Sequence, residues 1–154
     1  KDTTIVQELH RDGYVTQPLQ PAFTAYPDQN QSNLSINAST TIVFDAELFD
    51  QNADFNNSNY TFTAPVTGKY MLAVHLRIDN LDLENAYYVP YIQTSNRDYN
   101  NIIALHGGGT HIYNADPDYF SIQMTALADM DANDTALVKI SAPNAGAAQA
   151  DHKI

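Results

Sequence analysis

The chain contains no cysteine, so neither a disulfide scaffold nor a thiolate metal site can form. It is also poor in basic residues: 7 lysines and arginines stand against 18 acidic side chains, a formal net charge of -11. This balance argues against nucleic acid as a partner, because phosphate binding needs lysine and arginine. It also argues against docking on an anionic membrane. It is compatible with divalent cations wherever acidic side chains converge.

Long apolar runs are absent as well, since none approaches the roughly 20 residues that cross a bilayer, and we expect no membrane insertion. No signal peptide is visible, and the chain starts at Lys1 rather than at methionine. We expect the numbered chain to be a processed product or a fragment of something longer. Its 154 residues, 44 % of them apolar, suit one domain with a substantial core.

Apolar and polar residues alternate with a period of two through most of the chain, as in strands with one buried face. The clearest run predicts that alternate side chains between Lys69 and Asp79 face the core, namely Tyr70, Leu72, Val74, Leu76 and Ile78. Similar runs follow one another between clusters of Asn, Asp, Gly and Pro, and no convincing helix is present. Many short strands at this spacing predict a sandwich, a barrel or a jelly roll. Residues 1–17 are polar and are interpreted as a connector, and residues 18–154 as the domain.

One stretch, "FDAELFDQNADFNNSNYTFTAPVTGKY", spaces its aromatic residues, one acid and one glycine at distinctive intervals. The aromatic rings supply large apolar areas to one core. Gly68 is predicted to let the backbone turn, and Asp50 to accept backbone N–H bonds from the loop that follows it.

These intervals resemble the signature of the globular head of complement subcomponent 1q, a family that shares its jelly roll with the tumour necrosis factor ligands. The signature is filled here by Phe44, Asp50, Phe55, Phe62, Gly68 and Tyr70. Two positions depart from it, because Leu72 and Val74 stand where the family usually has aromatic residues. The resemblance implies an all-β jelly-roll β-sandwich of about ten strands that forms a homotrimer. It also implies a further central strand, which "ADHKI" does not supply, so we expect the native polypeptide to continue past Ile154.

The segment "RDGYVTQPLQPAF" looks similar to the start of heads on bacteriophage fibres and other virion proteins. We therefore interpret the chain as a non-enzymatic head of a phage fibre or virion surface protein, virion-borne or extracellular. Three sites on one trimer would bind a host-surface glycan or protein with avidity, while other virion proteins hold the head in place. The alternatives are a secreted recognition lectin of the complement-1q type and a purely architectural module for trimerisation or decoration.

Two pairs of residues are candidate binding sites. Arg97 and Tyr99 lie in a loop and are candidates for outside contacts with a ligand. Asp116 and Asp118 fall in the loop where several relatives bind calcium, so Ca²⁺ is a possible ligand, although a solvent-facing Asp-Pro-Asp turn is the preferred interpretation.

Two motifs of other protein classes are rejected. "HGGG", which begins at His106, matches an esterase oxyanion loop, but no Gly-x-Ser-x-Gly nucleophile accompanies it. His106 and His111 are interpreted as ordinary loop histidines rather than as metal ligands, because no third ligand stands at good spacing. No other catalytic constellation is found, and an enzyme is not expected.

Overall fold

The computed structural model of the chain describes residues 7–85, 87–107, 110–143 and 153–154. Across this part all regular secondary structure is β, and no helix occurs. None of it could therefore cross a membrane as a long apolar helix. The strands are β1 (Glu8–Leu9), β2 (Val15–Thr16), β3 (Phe23–Tyr26), β4 (Ser39–Thr41), β5 (Ala46–Asp50), β6 (Phe55–Asn56), β7 (Thr61–Thr63), β8 (Gly68–Asp79), β9 (Tyr87–Thr94), β10 (Asp98–Asn100), β11 (Ile103–Ala104), β12 (His106–Gly107), β13 (Thr110–His111), β14 (Tyr119–Met130) and β15 (Thr135–Ser141).

The strands form one large sheet and several two-stranded ladders. The large sheet has the order β10-β9-β15-β7-β6, with β11 paired to β9 and β4 paired to β15. β8 pairs antiparallel with β14 along its whole length, and β3 pairs antiparallel with β5. A single core cluster contains Leu76 of β8 and Ile122 of β14 together with Ile92 of β9 and Ile140 of β15. The buried faces of the large sheet and of the β8–β14 ladder thus meet in one sandwich core, which confirms the predicted all-β jelly roll.

Strand β8 follows its sequence pattern closely. Leu72, Leu76 and Ile78 are buried, and Tyr70 and Val74 are partly buried against the core, as the alternation predicts.

Two other strands differ from the alternation. Residues 41–48 also alternate between apolar and polar, which predicts one strand, but β4 ends at Thr41 and β5 begins only at Ala46. Ile42 and Phe44 between the two strands are nevertheless buried. In strand β9 apolar residues occupy both alternating faces, a pattern that predicts burial on both sides. Only the face that carries Tyr88 is fully buried, because no layer of the described chain covers the opposite face.

The signature residues pack together at one end of the core. The ring of Phe23 stacks on Phe55 and Phe62, with centroids 4.8 and 5.2 Å apart. Phe62 also contacts Tyr70, whose ring is tilted against it at 5.4 Å. The Tyr70 hydroxyl donates to the Val66 carbonyl at 2.6 Å, which ties the loop before β8 to the strand.

Asp50 and Gly68 are the signature positions without an aromatic ring, and both were expected to shape the backbone. The Asp50 carboxylate accepts the backbone N–H groups of Asp54 at 3.2 Å and Phe55 at 2.9 Å, as predicted. Gly68 does not have a positive φ, and a Cβ there would lie 3.7 Å from the Tyr70 ring, an ordinary contact. The turn before β8 therefore does not require glycine.

Before the domain, β1 and β2 form a small hairpin whose turn contains Gly13 at φ 89°. The Gln51 side-chain amide donates to the carbonyls of Gln17, Pro18 and Gln20, so this segment is joined to the domain at 2.8 to 3.1 Å. The boundary at residue 17 remains a prediction.

Candidate functional site

A shallow polar groove of about 570 Å³ lies between an edge strand of the large sheet and an edge strand of the β8–β14 ladder. Strand β10 and the loops beside it form one wall, and β14 forms the other. The lining side chains are mostly exposed and combine one aromatic ring, opposite charges and several amides: Arg97, Asp98, Tyr99, Asn100, Asn101, Gln123, Met124 and Thr125.

Arg97 and Tyr99, the two candidates for ligand contacts, both line this groove, although Tyr99 lies on strand β10 rather than in a loop. Their role in ligand binding remains a prediction. The Arg97 guanidinium lies 5.0 Å from the centroid of the Tyr99 ring, within the range of a cation–π interaction. Tyr99 is partly buried against the core cluster, so the ring has a fixed position. The Arg97 side chain is exposed to solvent.

The turn that carries Arg97 is held by several hydrogen bonds. The Thr94 hydroxyl accepts the Arg97 N–H at 3.1 Å and donates to the Arg97 carbonyl at 2.9 Å. The Asn96 amide donates to the Asp134 carboxylate at 2.6 Å, which connects the turn to the loop before β15. Beside it, the Gln93 amide donates to the Asp98 carboxylate at 3.0 Å. The groove is thus built on a restrained hairpin rather than on a long loop.

The acidic loop before β14 has a structural contact of its own. The Asp116 carboxylate accepts the Leu83 N–H at 3.0 Å, and the Asp118 backbone carbonyl accepts the Asn80 N–H at 3.1 Å. Both side chains are exposed. Within the described residues no three His, Asp or Glu side chains converge as a metal site would require. Calcium at Asp116 and Asp118 remains a prediction.

Beneath this loop, Tyr88 is fully buried. Its hydroxyl accepts the Asp82 N–H at 3.0 Å and the Asn85 amide at 2.8 Å. Burial raises the pKa of Tyr88 above its usual value of 10.0, although the hydrogen bonds from Asn85 and Asp82 oppose the shift. These contacts hold the residues after β8 against β9. Because Leu83 of the same segment donates to Asp116, they also help to position the acidic loop, which is a structural role.

The glycine loop is only partly described. Gly108 and Gly109 lie outside the described residues, so the "HGGG" interpretation is not addressed. The imidazole of His111 lies 3.9 Å from the Glu84 carboxylate, on the outside of the molecule.

The comparisons with known proteins concern the fold. The globular domain of zebrafish complement 1qA protein matches with a TM-score of 0.61 and 15% sequence identity. The match covers 86% of this chain and 90% of that chain. The fold is similar to a complement 1q globular domain. No protein-family model matches the sequence, and no curated protein matches it. The complement-1q-like fold expected from the signature is therefore confirmed. A sequence identity of 15% supports a shared fold and does not indicate a shared activity or ligand.

The sequence singled out Arg97 and Tyr99 on one wall of the groove and no residue of the other wall. The alternation along β14 identifies Gln123 and Thr125 as outward-facing residues, but many polar residues share that property. Their position beside Tyr99 depends on which strands become edges of the two layers. No local pattern encodes that adjacency.

Proposed function

We propose that this chain is a non-enzymatic recognition head that binds a host-surface glycan in the groove beside Tyr99. The observation that carries the proposal is the combination of one fixed aromatic ring with amide and charged side chains in a single open groove. An aromatic face suits the apolar face of a sugar ring, and amides and carboxylates suit its hydroxyls. A host-surface protein is the other ligand class, and the test below distinguishes it.

The proposal includes a homotrimer. Met71 of β8 and Leu127 of β14 are paired across the ladder, and both side chains point away from the core and are exposed. Apolar side chains next to each other on a sheet face suit a protein contact. Three copies around one axis would present three grooves, and three weak sites on one rigid head bind a surface with avidity.

We place this head on a phage fibre or another virion surface protein, with other virion proteins as its attachment. The support is the resemblance of the segment from Arg11 to Phe23, which leads into β3, to heads of that kind. A secreted recognition lectin of the complement-1q type is the alternative setting, and it uses the same groove. A purely architectural trimer is the third possibility considered. It would use only the exposed face of the ladder that carries Met71 and Leu127.

The experiment has two measurements on the same protein. Light scattering is expected to give the mass of a trimer, and a glycan array is expected to give a defined set of bound sugars. Tyr99→Ala and Arg97→Ala should each reduce that binding by about 5- to 30-fold, since each removes a contact worth about 1–2 kcal/mol. Tyr113→Ala, which removes an exposed tyrosine outside the groove, is the matched control.

The possible results of these binding measurements support different functions. Binding to host cells that survives enzymatic removal of their glycans, yet is lost in Tyr99→Ala, would identify a protein ligand. A trimer that binds neither cells nor glycans would contradict the recognition proposal and favour architecture. Glycan binding that both groove variants retain would place the site elsewhere.

A further inference from the structure

The face of the large sheet that points away from the core carries a row of side chains that the strand register defines. Residues directly opposite each other in an antiparallel pair lie on the same face of the sheet. One such row crosses β10, β9, β15 and β4 in that order: Asn100, Tyr91, Lys139 and Thr41. Ile92 and Ile140, the next residues of β9 and β15, are buried in the core, so this row lies on the outer face.

The ring of Tyr91 lies flat on this outer face. Its hydroxyl is hydrogen-bonded to the Ser39 hydroxyl of β4. Because β15 lies between β9 and β4, the backbones of these two residues are about 10 Å or more apart, and only a side chain extended along the sheet surface spans that distance. One face of the ring is then turned towards β15 and the other outwards, which agrees with its partial exposure.

Lys139, beside this ring, has no acidic partner within the described chain. None of the ion pairs there includes it, whereas Lys69 on β8 is paired with Asp129 at 2.5 Å. Its neighbours across and along the strands are all uncharged: Tyr91, Thr41, Leu137 and Ser141. In a chain of net charge -11, an uncompensated lysine on an open face favours an anionic ligand.

The outer row begins at the groove beside Tyr99. Asn100 lines that groove and is also directly opposite Tyr91. A ligand that leaves the groove over β10 therefore meets the Tyr91 ring first. It then meets Lys139, whose strand lies about 10 Å from β10. A short oligosaccharide spans this distance.

We propose that a second glycan subsite continues the groove onto the outer face, and that it binds a sugar unit carrying a carboxylate. We name it the acidic-sugar subsite, and its residues are Tyr91, Lys139, Thr41 and Ser39. The open face of the tyrosine ring suits the apolar face of a sugar. The lysine ammonium donates a charge-assisted hydrogen bond to the carboxylate, and the two hydroxyl side chains suit sugar hydroxyls. The inference rests on the proposed function, and it narrows the ligand class to acidic oligosaccharides.

The proposed trimer leaves this subsite open. Its contact is formed by Met71 and Leu127 on the β8–β14 ladder, whereas the acidic-sugar subsite lies on the large sheet, on the side away from the core. The two surfaces therefore belong to opposite layers of the sandwich. Each copy of a trimer would present its groove and its subsite outwards, so the avidity argument applies to both together.

The experiment compares acidic oligosaccharides with matched neutral ones. The probes are uronic-acid tetrasaccharides from polygalacturonate, alginate and hyaluronan, the same fragments with their carboxyl groups reduced to alcohols, and sialyl-lactose beside lactose. Surface plasmon resonance measures their affinities for the unsubstituted protein, Lys139→Gln, Tyr91→Ala and Tyr99→Ala. Lys69→Gln is the matched control, because it removes the same charge from a lysine that already has an acidic partner on the other layer. Circular dichroism checks that each variant is folded.

The unsubstituted protein should bind at least one acidic probe about fivefold more tightly than its neutral counterpart, the size of one ion pair on an exposed face. Lys139→Gln should abolish this difference without weakening the neutral probe, and Lys69→Gln should preserve it. Added salt should weaken binding of the acidic probe to the unsubstituted protein and have little effect on Lys139→Gln. Tyr91→Ala should weaken acidic and neutral probes alike, because it removes the stacking surface.

The subsite and the groove can fail separately. Binding that is lost in Tyr99→Ala but unchanged in Lys139→Gln and Tyr91→Ala would overturn the subsite and keep the groove. Binding that is lost in these two variants but unchanged in Tyr99→Ala would overturn the groove instead. A preference for acidic probes that persists in Lys139→Gln and disappears in Arg97→Ala would place the carboxylate in the groove and overturn the subsite. Failure of every acidic probe, with neutral sugars bound on the glycan array, would also overturn the subsite alone.

Discussion

Met71 and Leu127 face each other across the β8–β14 ladder on the side away from the core. Their exposed fractions are 77% and 69%. An exposed apolar pair in the middle of two long strands has no role in the core of a single chain. In the proposed contact between copies, each of the two side chains would bury most of its surface.

The first prediction concerns this pair. Met71→Lys combined with Leu127→Lys should convert the proposed trimer to a monomer, because each interface would have to bury two unpaired charges. The fold should be retained, since both side chains already lie in water in the single chain. Light scattering gives the mass, and far-ultraviolet circular dichroism checks the β content.

Leu48→Lys is the control for this first prediction. Leu48 is 74% exposed but lies on β5, in a different ladder. Its substitution should leave the mass unchanged. A double variant that remains trimeric would move the interface away from β8 and β14.

The parts of the fold that could be predicted are those set by patterns within one strand. Strand β8 is long and alternates regularly, so its extent and buried face were predicted from the sequence. The break between β4 and β5 was not, because Ile42 and Phe44 remain buried and keep the alternation while the ladder is interrupted. The apolar periodicity indicates which side chains are buried. It does not indicate which residues form hydrogen-bonded strand pairs.

The asparagines illustrate a second limit. Asn33, Asn37 and Asn133 each begin a glycosylation-type triplet, yet all three have positive φ, between 54° and 73°. Asparagine tolerates this region better than most residues. These asparagines allow the backbone to turn, a role that the glycosylation-type triplet does not indicate. Asn80, at φ 56°, has the same role.

The second prediction concerns Tyr88. Tyr88→Phe should lower the free energy of unfolding by about 1–3 kcal/mol, because the Asp82 N–H and the Asn85 amide lose their shared buried acceptor. Chemical denaturation of both proteins gives the difference. Tyr26→Phe, at an exposed tyrosine, should change little. A loss no larger than that of Tyr26→Phe would show that other partners satisfy these donors.

Tyr88 should also make the fold sensitive to alkali. Because burial raises its pKa in the native state, the native protein holds this proton more tightly than the unfolded chain does. The stability that it contributes is complete below the unfolded tyrosine pKa of about 10 and is lost as pH rises further. Tyr88→Phe should therefore show a shallower fall of stability above this pH. Parallel curves for the two proteins would contradict it.

The third prediction contrasts two acids of one loop. Asp54 has a carboxylate oxygen that is buried and accepts no hydrogen bond within the described chain, and desolvation, followed by repulsion from Asp50, raises its pKa from 3.8. Its contribution to stability is present at low pH and is lost as pH rises through the native pKa. Asp54→Asn should therefore raise Tm at neutral pH and leave it nearly unchanged in acid.

Asp50→Ala should have the opposite effect. Its carboxylate accepts two backbone N–H groups, so the substitution should cost about 1–3 kcal/mol at neutral pH. Thermal unfolding at neutral and acidic pH separates the two variants. Destabilisation by Asp54→Asn at neutral pH would mean that the Asp54 carboxylate has a favourable contact that outweighs its desolvation.

The fourth prediction concerns Asp116. Its carboxylate accepts the Leu83 N–H, so Asp116→Ala should lower the free energy of unfolding by roughly 1 kcal/mol whether or not calcium is present. Asp118→Ala should cost less, because the hydrogen bond from Asn80 goes to the backbone of Asp118 and survives the substitution. Thermal unfolding with added calcium and with a chelator measures both effects.

The chelator decides between the two interpretations of this acidic loop. If the Asp116 carboxylate only accepts the Leu83 N–H, the chelator leaves the Tm of every variant unchanged. Calcium bound by Asp116 and Asp118 would stabilise the native state by mass action, so the chelator would lower the Tm of the unsubstituted protein and not that of Asp116→Ala. We expect no shift, because the Asp116 carboxylate already has a backbone donor and no three acidic or histidine side chains converge within the described chain. A shift confined to the trimer would mean that the missing ligands come from neighbouring copies around the axis.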